Sequence, residues 1–224
     1  MKLKHKKHLR KGFSLVELLV VIAIIAGLAA MSYGPIMKQV KAAAKTNAIN
    51  SGKQIHVALF SFASDNDGIF PNENTGDSGA TAEACFTQLI EAGKIDEEAT
   101  FWNKENSVIG TTNGTAPPNE DGTLEPGENA WGYVSGLNNS SSSNIPLIFD
   151  SSETAKSFDT AVWEGQAIVV KINGSCEALK ITYDGPAIDS SGNSQQGAIE
   201  ENSEDIFDRA ENITGTTIHV PAGS

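Results

Sequence analysis

The feature that most constrains this chain is an uncharged apolar run near its N-terminus. Leu18 to Met37 spans 20 residues without a charged side chain. At about 1.5 Å of rise per residue, a helix of that length covers the roughly 30 Å hydrocarbon core of a bilayer. Residues 1–12 carry six basic groups and no acid, and basic residues beside a span stay in the cytoplasm. The sequence therefore predicts a single membrane span, with the first residues cytoplasmic and the remainder of the chain outside.

One carboxylate, that of Glu17, directly precedes this run. An ionised carboxylate in the hydrocarbon costs about 2.5–3.5 kcal/mol on insertion scales, so it favours a cationic partner. No Lys or Arg follows before Lys38, and the chain as written supplies no partner on the same face. A cut after Gly12 would create an α-amine on Phe13, which is largely cationic at neutral pH and lies one helical turn before Glu17. We expect these groups to pair within one subunit or between neighbours, and only pairing between neighbours would select partners and set their register.

Residues 11–26, Lys-Gly-Phe-Ser-Leu-Val-Glu-Leu-Leu-Val-Val-Ile-Ala-Ile-Ile-Ala, resemble the class III signal of type IV prepilins and type II secretion pseudopilins. The resemblance implies that a membrane-embedded prepilin peptidase cleaves between Gly12 and Phe13 and N-methylates Phe13. It also implies that Glu17, at the fifth mature position, is the assembly glutamate. The implied partners are copies of this chain, other pilin-like subunits and an inner-membrane assembly platform.

Two other interpretations of the N-terminal segment stay open. A plain secretory signal peptide could end at the small-residue site Gly-Leu-Ala at residues 27–29, although an acid in its apolar core makes it a poor export signal. An uncleaved membrane anchor would keep the whole segment. Mass analysis of the mature N-terminus distinguishes the three interpretations, because they begin at Phe13, Ala30 and Met1 respectively.

A helical pattern continues beyond the apolar run. Apolar or small side chains recur at spacings of three and four, as one face of a helix requires: Ile36, Val40, Ala44, Ala48, Gly52, Ile55, Leu59 and Phe62. We therefore predict one helix from Phe13 to about Ser64, with a kink or local melting at Gly-Pro 34–35 because proline removes a backbone donor. Gly52 is expected to let a sheet or loop approach closely. Gly68 is a candidate for the left-handed residue that terminates the helix.

The end of this helix carries a second resemblance. Residues 59–71, Leu-Phe-Ser-Phe-Ala-Ser-Asp-Asn-Asp-Gly-Ile-Phe-Pro, resemble the helix exit of pseudopilins, where an aromatic residue is followed by Asp, Gly and a Tyr-Pro or Phe-Pro pair. This resemblance favours the secretion branch, or a pilin relative close to it, over a plain adhesive pilus. The predicted segments are a cytoplasmic leader that is removed (1–12), a transmembrane and assembly helix (13–37), an amphipathic half of the same helix (38–64) and a soluble pilin-like head (65–224).

The head is predicted to combine short strands with little helix. A short amphipathic helix spans Thr81 to Ala92, and the stretch 103–129, rich in Gly, Pro and Asn, is predicted to be a long surface loop. Asn-Gly at 173–174 predicts a β-hairpin, Asp205–Asn212 a short helix, and Thr217–Val220 an edge strand. The other predicted strands are Ala130–Val134, Ile145–Phe149, Ala167–Ile172 and Glu177–Tyr183. The predicted fold is α+β, a long N-terminal α-helix packed on an antiparallel β-sheet head.

The head offers no recognisable catalytic pattern. Gly-x-Ser-x-Gly, His-Glu-x-x-His, a Walker loop and a dinucleotide fingerprint are all absent from the sequence, so an enzyme is not predicted. His56 and His219 are interpreted as structural residues, and Trp102, Trp131 and Trp163 as core or loop anchors. Without residues 1–12 the chain has 10 basic and 28 acidic side chains, a net charge of −18. Such a body repels phosphate backbones, which excludes nucleic acid as an expected partner.

Two weaker site predictions concern calcium and a disulfide. Calcium needs several oxygen ligands, and two acidic loops could supply them: Asn119, Asp121, Glu125 and Glu128, or Glu201, Glu204, Asp205 and Asp208. The resemblance adds that major pseudopilins use a calcium in the head, but neither loop has EF-hand spacing, and a solvated acidic surface is the alternative. Cys85 and Cys176 would face an oxidising compartment and are a disulfide candidate, with two buried thiols as the alternative.

These observations predict a structural filament subunit, a pseudopilin of a type II secretion system. After processing, it would leave the bacterial inner membrane and polymerise through its N-terminal helix, with a periplasmic head that could contact exported substrate. The alternatives are a type IV pilus pilin or a minor tip subunit that acts as an adhesion or binding module. A membrane-tethered hydrolase is disfavoured by the missing motifs. No cofactor other than calcium is expected.

Overall fold

The computed structural model describes residues 14–72, 81–103, 117–150, 152–183, 185 and 195–222. The chain divides into two compact units, Met1–Ala42 and Ala43–Ser224. A long helix, α1 (Leu15–Asp65), contributes residues to both units. The predicted processing residues Gly12 and Phe13 lie outside the described residues, as does part of the predicted surface loop, residues 104–116.

Helix α1 confirms the long predicted helix. Its residues buried in the head are Ala48, Gly52, Ile55, Ala58, Leu59 and Ala63. Four of them belong to the predicted stripe, whereas Ala58 and Ala63 do not, and the predicted member Phe62 is only half-buried. The helix continues through Pro35, so the predicted local melting does not occur; a proline removes one backbone hydrogen bond, and the flanking turns keep theirs. After α1 ends, Gly68 has a φ of +83° and donates its N–H to the carbonyl of Ala63 at 2.8 Å. This confirms Gly68 as the left-handed residue at the helix end.

Ten short strands and two further α-helices make up the rest of the described head. The strands are β1 Trp131–Ser135, β2 Pro146–Asp150, β3 Ser152–Thr154, β4 Ser157–Asp159, β5 Gln166–Lys171, β6 Cys176–Lys180, β7 Gln196–Gly197, β8 Glu200–Glu201, β9 Glu204–Asp205 and β10 Thr217–His219. The helices are α2 Ala82–Glu91 and α3 Asp208–Glu211, and a single 3-10 turn spans Glu98–Phe101. The predicted helix at 81–92 is confirmed, with Thr81 as its N-cap.

The principal sheet has five strands in the order β10-β1-β2-β5-β6, and all its pairs are antiparallel. Its strands confirm the four predicted strands and the predicted edge strand, with ends displaced by at most three residues. The Asn-Gly turn joins β5 to β6, where Val170 lies opposite Cys176 and Gly174 donates its N–H to the carbonyl of Lys171 at 2.9 Å. The α+β architecture is therefore pilin-like: a long N-terminal helix followed by an antiparallel sheet.

Three short strands were not predicted, and one short helix was predicted to be longer than it is. Strands β3, β4 and β7 form a three-stranded sheet, and each is only two or three residues long, too short to show an alternating pattern. The short helix predicted at 205–212 is reduced to α3 because its first residue pairs with β8 as part of β9.

The five-stranded sheet is covered on both faces. On one face, Trp131 and Val170 lie against the backbone of Gly52, where an added Cβ would come within 3.0 Å of each side chain. This confirms the close approach predicted at Gly52. On the other face, the ring of Phe149 packs edge-on against Phe207 with centroids 4.9 Å apart. Central strands buried on both faces explain why β1 and β2 are fully buried from end to end.

Candidate functional site

The N-terminal end of α1 is closed by a reciprocal pair of hydrogen bonds. The backbone N–H of Ser14 donates to Oε2 of Glu17 at 2.9 Å, and the N–H of Glu17 donates to Oγ of Ser14 at 3.1 Å. This is a capping box, in which the N-cap and N3 side chains satisfy each other's backbone donors. Its sequence signal, Ser-x-x-Glu before an apolar run, is present at residues 14–17, but reasoning from charge alone overlooks it.

The capping box gives Glu17 a hydrogen-bond partner that the search for a cationic partner did not consider. The partner is a neutral backbone donor and not a cation, and it holds one carboxylate oxygen, Oε2. An ionised carboxylate offers two oxygens and about four acceptor positions. The cap therefore leaves Glu17 able to accept a further hydrogen bond from a cation. The amine of Phe13 is outside the described residues, so its predicted pairing with Glu17 stays a prediction.

The large apolar side chains from Leu15 to Val40 are all exposed. Their exposed fractions run from 41% at Met37 to 81% at Met31. Among the described residues, α1 is the one helix that is long and apolar enough to cross a membrane by length and composition. Gly27 has no heavy atom within 4 Å of an added Cβ. This surface can be covered by lipid or by other helices, and both remove apolar area from water.

The predicted pseudopilin-like helix exit is anchored to the sheet. Phe70 is buried, and the hydroxyl of Tyr133 on β1 donates to the carbonyl of Pro71 at 2.7 Å. Burial raises the pKa of Tyr133 well above its usual value, so the phenol stays a neutral donor. The N–H of Asn139 donates to the carbonyl of Gly68 at 2.9 Å. These contacts fix the direction in which the chain leaves α1 and enters the head.

The first predicted calcium loop uses its carboxylates to accept backbone hydrogen bonds. Glu128 is buried and accepts from the N–H of Asn119 at 3.1 Å and of Glu125 at 2.9 Å. Asp121 accepts from the hydroxyl of Thr123 at 2.8 Å and from its N–H at 3.1 Å, and these bonds lower the pKa of Asp121. The described residues 117–129 form no helix or strand and are exposed at seven of thirteen positions, as the predicted surface loop requires, although Glu128 and Asn129 at its end are buried.

The second predicted calcium loop is occupied by ion pairs. Lys156 contacts Asp208 at 3.3 Å and Glu211 at 2.6 Å, and Glu201 contacts a lysine of β5 at 2.7 Å. Burial raises the pKa of Asp205, while a backbone N–H that it accepts works in the opposite direction. Within the described ranges, no group of three or more His, Cys, Asp or Glu side chains could hold a metal ion. Glu201, Glu204 and Asp205 of the second set line one small cleft together with Arg209. Calcium binding stays an untested prediction.

Two buried glutamates that were not predicted tie the head together. Oε1 of Glu83 on α2 accepts from Nδ2 of Asn129 at 3.1 Å and from the N–H of Ala222 at 2.8 Å. Glu98 and Glu120 each accept the other's backbone N–H, at 2.8 and 3.1 Å. These contacts join residues far apart in sequence, so no local sequence pattern predicts them.

The structure holds Cys85 and Cys176 as thiols, which corrects the disulfide prediction. Cys85 is buried on α2, which packs on β1, whereas Cys176 begins β6. The order β1-β2-β5-β6 separates those strands by three spacings, or about 14 Å at ~4.8 Å each. A disulfide needs Cα atoms within about 7 Å. Burial raises the pKa of Cys176 to about 11, and its thiol donates to the carbonyl of Ile49 at 3.5 Å.

The histidines and tryptophans have the structural roles that were predicted. Nε2 of the half-buried His56 lies 3.0 Å from the carbonyl oxygen of Ile172. His219 is buried with Nε2 2.9 Å from Oγ of Ser135, which fastens β10 to β1. Trp163 donates its indole N–H to the buried Asp150 at 2.8 Å. Trp131 is buried beneath α1, and Trp102 is half-buried.

Comparison with known proteins identifies the N-terminal segment. Residues 7–33 match the model of the prokaryotic N-terminal methylation motif. No curated protein matches the chain significantly, and neither does any solved structure. The motif supports a type IV pilin-like or pseudopilin subunit, a structural and not an enzymatic kind of protein, and together with the apolar helix it indicates anchoring in the inner membrane. The chain thus carries the class III signal of type IV prepilins and pseudopilins, on an α+β architecture of the pilin-like kind.

Proposed function

We propose that this chain is a structural filament subunit that is processed by prepilin peptidase and polymerises through α1, as a pseudopilin of a type II secretion system. The observation that carries the proposal is the methylation motif at 7–33, followed by a helix half whose large apolar side chains are all exposed. A surface of this kind needs a partner outside its own chain. Lipid supplies that partner before assembly, and the helices of other subunits supply it afterwards.

Assembly must replace lipid contacts with helix contacts, because an apolar helix cannot leave the bilayer for water at an acceptable free energy. Small residues let helices approach closely and gain van der Waals contact, and those in this half of α1 include Ala23, Ala26, Gly27, Ala29 and Ala30. Extraction from the membrane then requires an assembly platform driven by an external ATPase. The acidic head would stay in the periplasm, where it can contact exported substrate.

In this proposal, Glu17 has two roles that do not compete. One oxygen keeps the cap on Ser14, and the other accepts the N-methylated amine that cleavage after Gly12 creates on Phe13 of a neighbouring copy. A charge-assisted bond of this kind is about twice as strong as a neutral one, and it is formed only where the two helices are in register. The amine and carboxylate thereby neutralise each other in an apolar filament core.

A processing and assembly assay tests the proposal. The full chain is co-expressed with a prepilin peptidase and an assembly system, and sheared filaments are collected. We expect mass analysis to find the mature chain beginning at N-methylated Phe13. Blocking cleavage with Gly12→Val should leave Met1 in place and abolish filaments.

Two variants at Glu17 separate its charge from its capping role. Glu17→Gln keeps the side-chain acceptor of the capping box but removes the charge, whereas Glu17→Ala removes both. We expect processing to persist and filaments to be lost in both variants. Filaments of normal yield from Glu17→Gln would show that capping, and not charge pairing, is what assembly requires.

The secretion role is supported by the helix exit at 59–71 and is tested separately. Deleting the gene from its own host should abolish export of secreted enzymes and leave surface pili unchanged. Loss of pili with normal export would favour the alternative, a type IV pilus pilin. Low copy number at a filament end would favour a minor tip subunit that acts in adhesion.

A further inference from the structure

The apolar stripe of α1 extends beyond the part that the head covers. Ile55 and Leu59 are fully buried, whereas Ile36 and Val40, earlier members of the same stripe, are 56% and 50% exposed. Met37, three residues before Val40, is 41% exposed. Because residues spaced by three and four share a helix face, these side chains form an uncovered apolar face. Lys41, four residues after Met37, adds a positive charge at its edge.

The head has an open groove of about 670 Å³ between the second half of α1 and the segment 94–100. Val57 lies in the groove and is 66% exposed. Of the described residues after Val40, only Val57 and Ile69 are large hydrophobic residues in exposed positions. Asp96 and Glu97 line the opposite side of the groove, are exposed, and form no ion pair with another described residue. Two lysines also line the groove: Lys94, which pairs with Asp65, and the exposed Lys53. The groove therefore combines an uncovered apolar contact with two carboxylates and one lysine that have no ion pair among the described residues.

The charge distribution of the chain identifies what complements this groove. Between Glu17 and Asp65 the only charged side chains are lysines, at positions 38, 41, 45 and 53, whereas residues 65–224 hold 27 acidic and 6 basic groups. With Lys94 paired to Asp65, Lys53 offsets one of the two carboxylates, and the groove keeps an excess of one negative charge. That excess favours a basic segment over an acidic one. The segment 33–41, which is apolar and basic, is complementary to the groove in both respects.

We propose that this groove receives the segment 33–41 of a second copy of the chain, with Ile36 and Val40 against Val57, and Lys41 facing Asp96 and Glu97. The inference rests on the proposed filament function and adds the surface through which head and helix of different copies meet. Because groove and segment are different surfaces, the contact is heterologous and can repeat without closing, as an open filament requires. Position 57 minus position 40 gives 17 residues, so the two helices, if parallel, are offset by that number of residues.

Cysteine cross-linking in assembled filaments tests this contact. The full chain carries Val40→Cys together with Val57→Cys and is co-assembled with an equal amount of unaltered chain, so that filaments form even if the variant assembles weakly alone and variant copies still meet as neighbours. We expect mild oxidation to produce covalent dimers. The matched control is Gln39→Cys with Val57→Cys, because Gln39 is also exposed but points about 100° away from Val40. The unaltered chain reports any contribution from Cys85 and Cys176.

A charge exchange tests the same contact without cysteines. Lys41→Glu alone, or Asp96→Lys with Glu97→Lys, should lower filament yield, and the three substitutions together should restore it. Glu91→Lys, a reversal at an exposed position of α2 that does not line the groove, should have no effect. Filaments without dimers above the Gln39 control, or without restoration by the charge exchange, would overturn the proposed contact. Failure of the unaltered chain to form filaments would instead overturn the proposed function.

Discussion

The two halves of α1 differ in where their apolar surface finds a partner. From Leu15 to Val40, every large apolar side chain is at least 41% exposed, whereas Ile55 and Leu59 in the second half are fully buried against the head. The glycines show the same contrast: an added Cβ has no neighbour within 4 Å at Gly27 but meets Trp131 and Val170 at 3.0 Å at Gly52. A stripe of apolar residues thus predicts a helix and which of its faces is apolar. It does not show whether the surface that covers this face belongs to the same chain.

The largest expected difference between the halves comes from truncating one leucine in each. Leu59→Ala should destabilise the head by about 2–5 kcal/mol, because it removes buried methyl groups and leaves a cavity. Leu19→Ala, at a position 55% exposed, should change head stability by less than about 0.5 kcal/mol. Thermal unfolding of the full chain in detergent micelles, followed by the near-ultraviolet circular dichroism of its tryptophans, measures both values. Equal destabilisation by the two variants would break the comparison.

A smaller difference is expected when a side chain is added to the two glycines. Gly52→Leu should destabilise the head by about 1–3 kcal/mol, since the new atoms must displace Trp131 and Val170. Gly27→Leu should leave the melting temperature of the head unchanged, because the space around Gly27 is open. The same unfolding assay applies to both. A stable Gly52→Leu variant would show that α1 does not lie as close to the sheet as described.

The last prediction concerns the alkylation rate of Cys176, whose thiol lies where α1 contacts the sheet. It involves no change in the stability of the head. Burial raises the pKa of Cys176 from 9.0 to about 11, so at pH 8 its thiolate is about 100-fold scarcer than that of an unshifted thiol. Alkylation by iodoacetamide should be slower by about that factor, and its rate should rise about tenfold per pH unit between pH 8 and 10. Gln39→Cys, exposed in the first half of α1, is the control. Equal rates at Cys176 and the control, measured by mass spectrometry, would contradict the burial of Cys176.

Local patterns predicted the elements whose contacts are close in sequence. The apolar run and its stripe gave α1, Asn-Gly gave the turn between β5 and β6, and Gly68 ended the helix, because each depends on residues within a few positions of one another. The capping box of Ser14 and Glu17 is equally local and was available from the same four residues. Strands β3, β4 and β7 were not, since two or three residues cannot display a period.

The candidate sites outside the N-terminal segment depended on contacts between residues that are distant in sequence, which local patterns do not predict. Cys85 and Cys176 were a disulfide candidate with free thiols as the alternative, and the strand order places three strand spacings between β1 and β6. Acidic residues near positions 120 and 205 suggested calcium ligands, yet Glu128 turns inward to backbone donors and Asp208 pairs with Lys156. Whether a carboxylate faces a cation, an N–H or water is decided by elements that pack from elsewhere in the chain.

The sequence by itself determined that this chain carries a prokaryotic N-terminal methylation motif and continues as one long helix, because hydrophobicity, charge and helical period act over short stretches. Only the tertiary structure decided which half of that helix the head covers, which groups the buried glutamates hold, and which thiols stay apart. Those outcomes follow from the order of the strands and from the packing of side chains that are distant in sequence. Many arrangements satisfy the same local pattern, and the close packing of the core selects one of them.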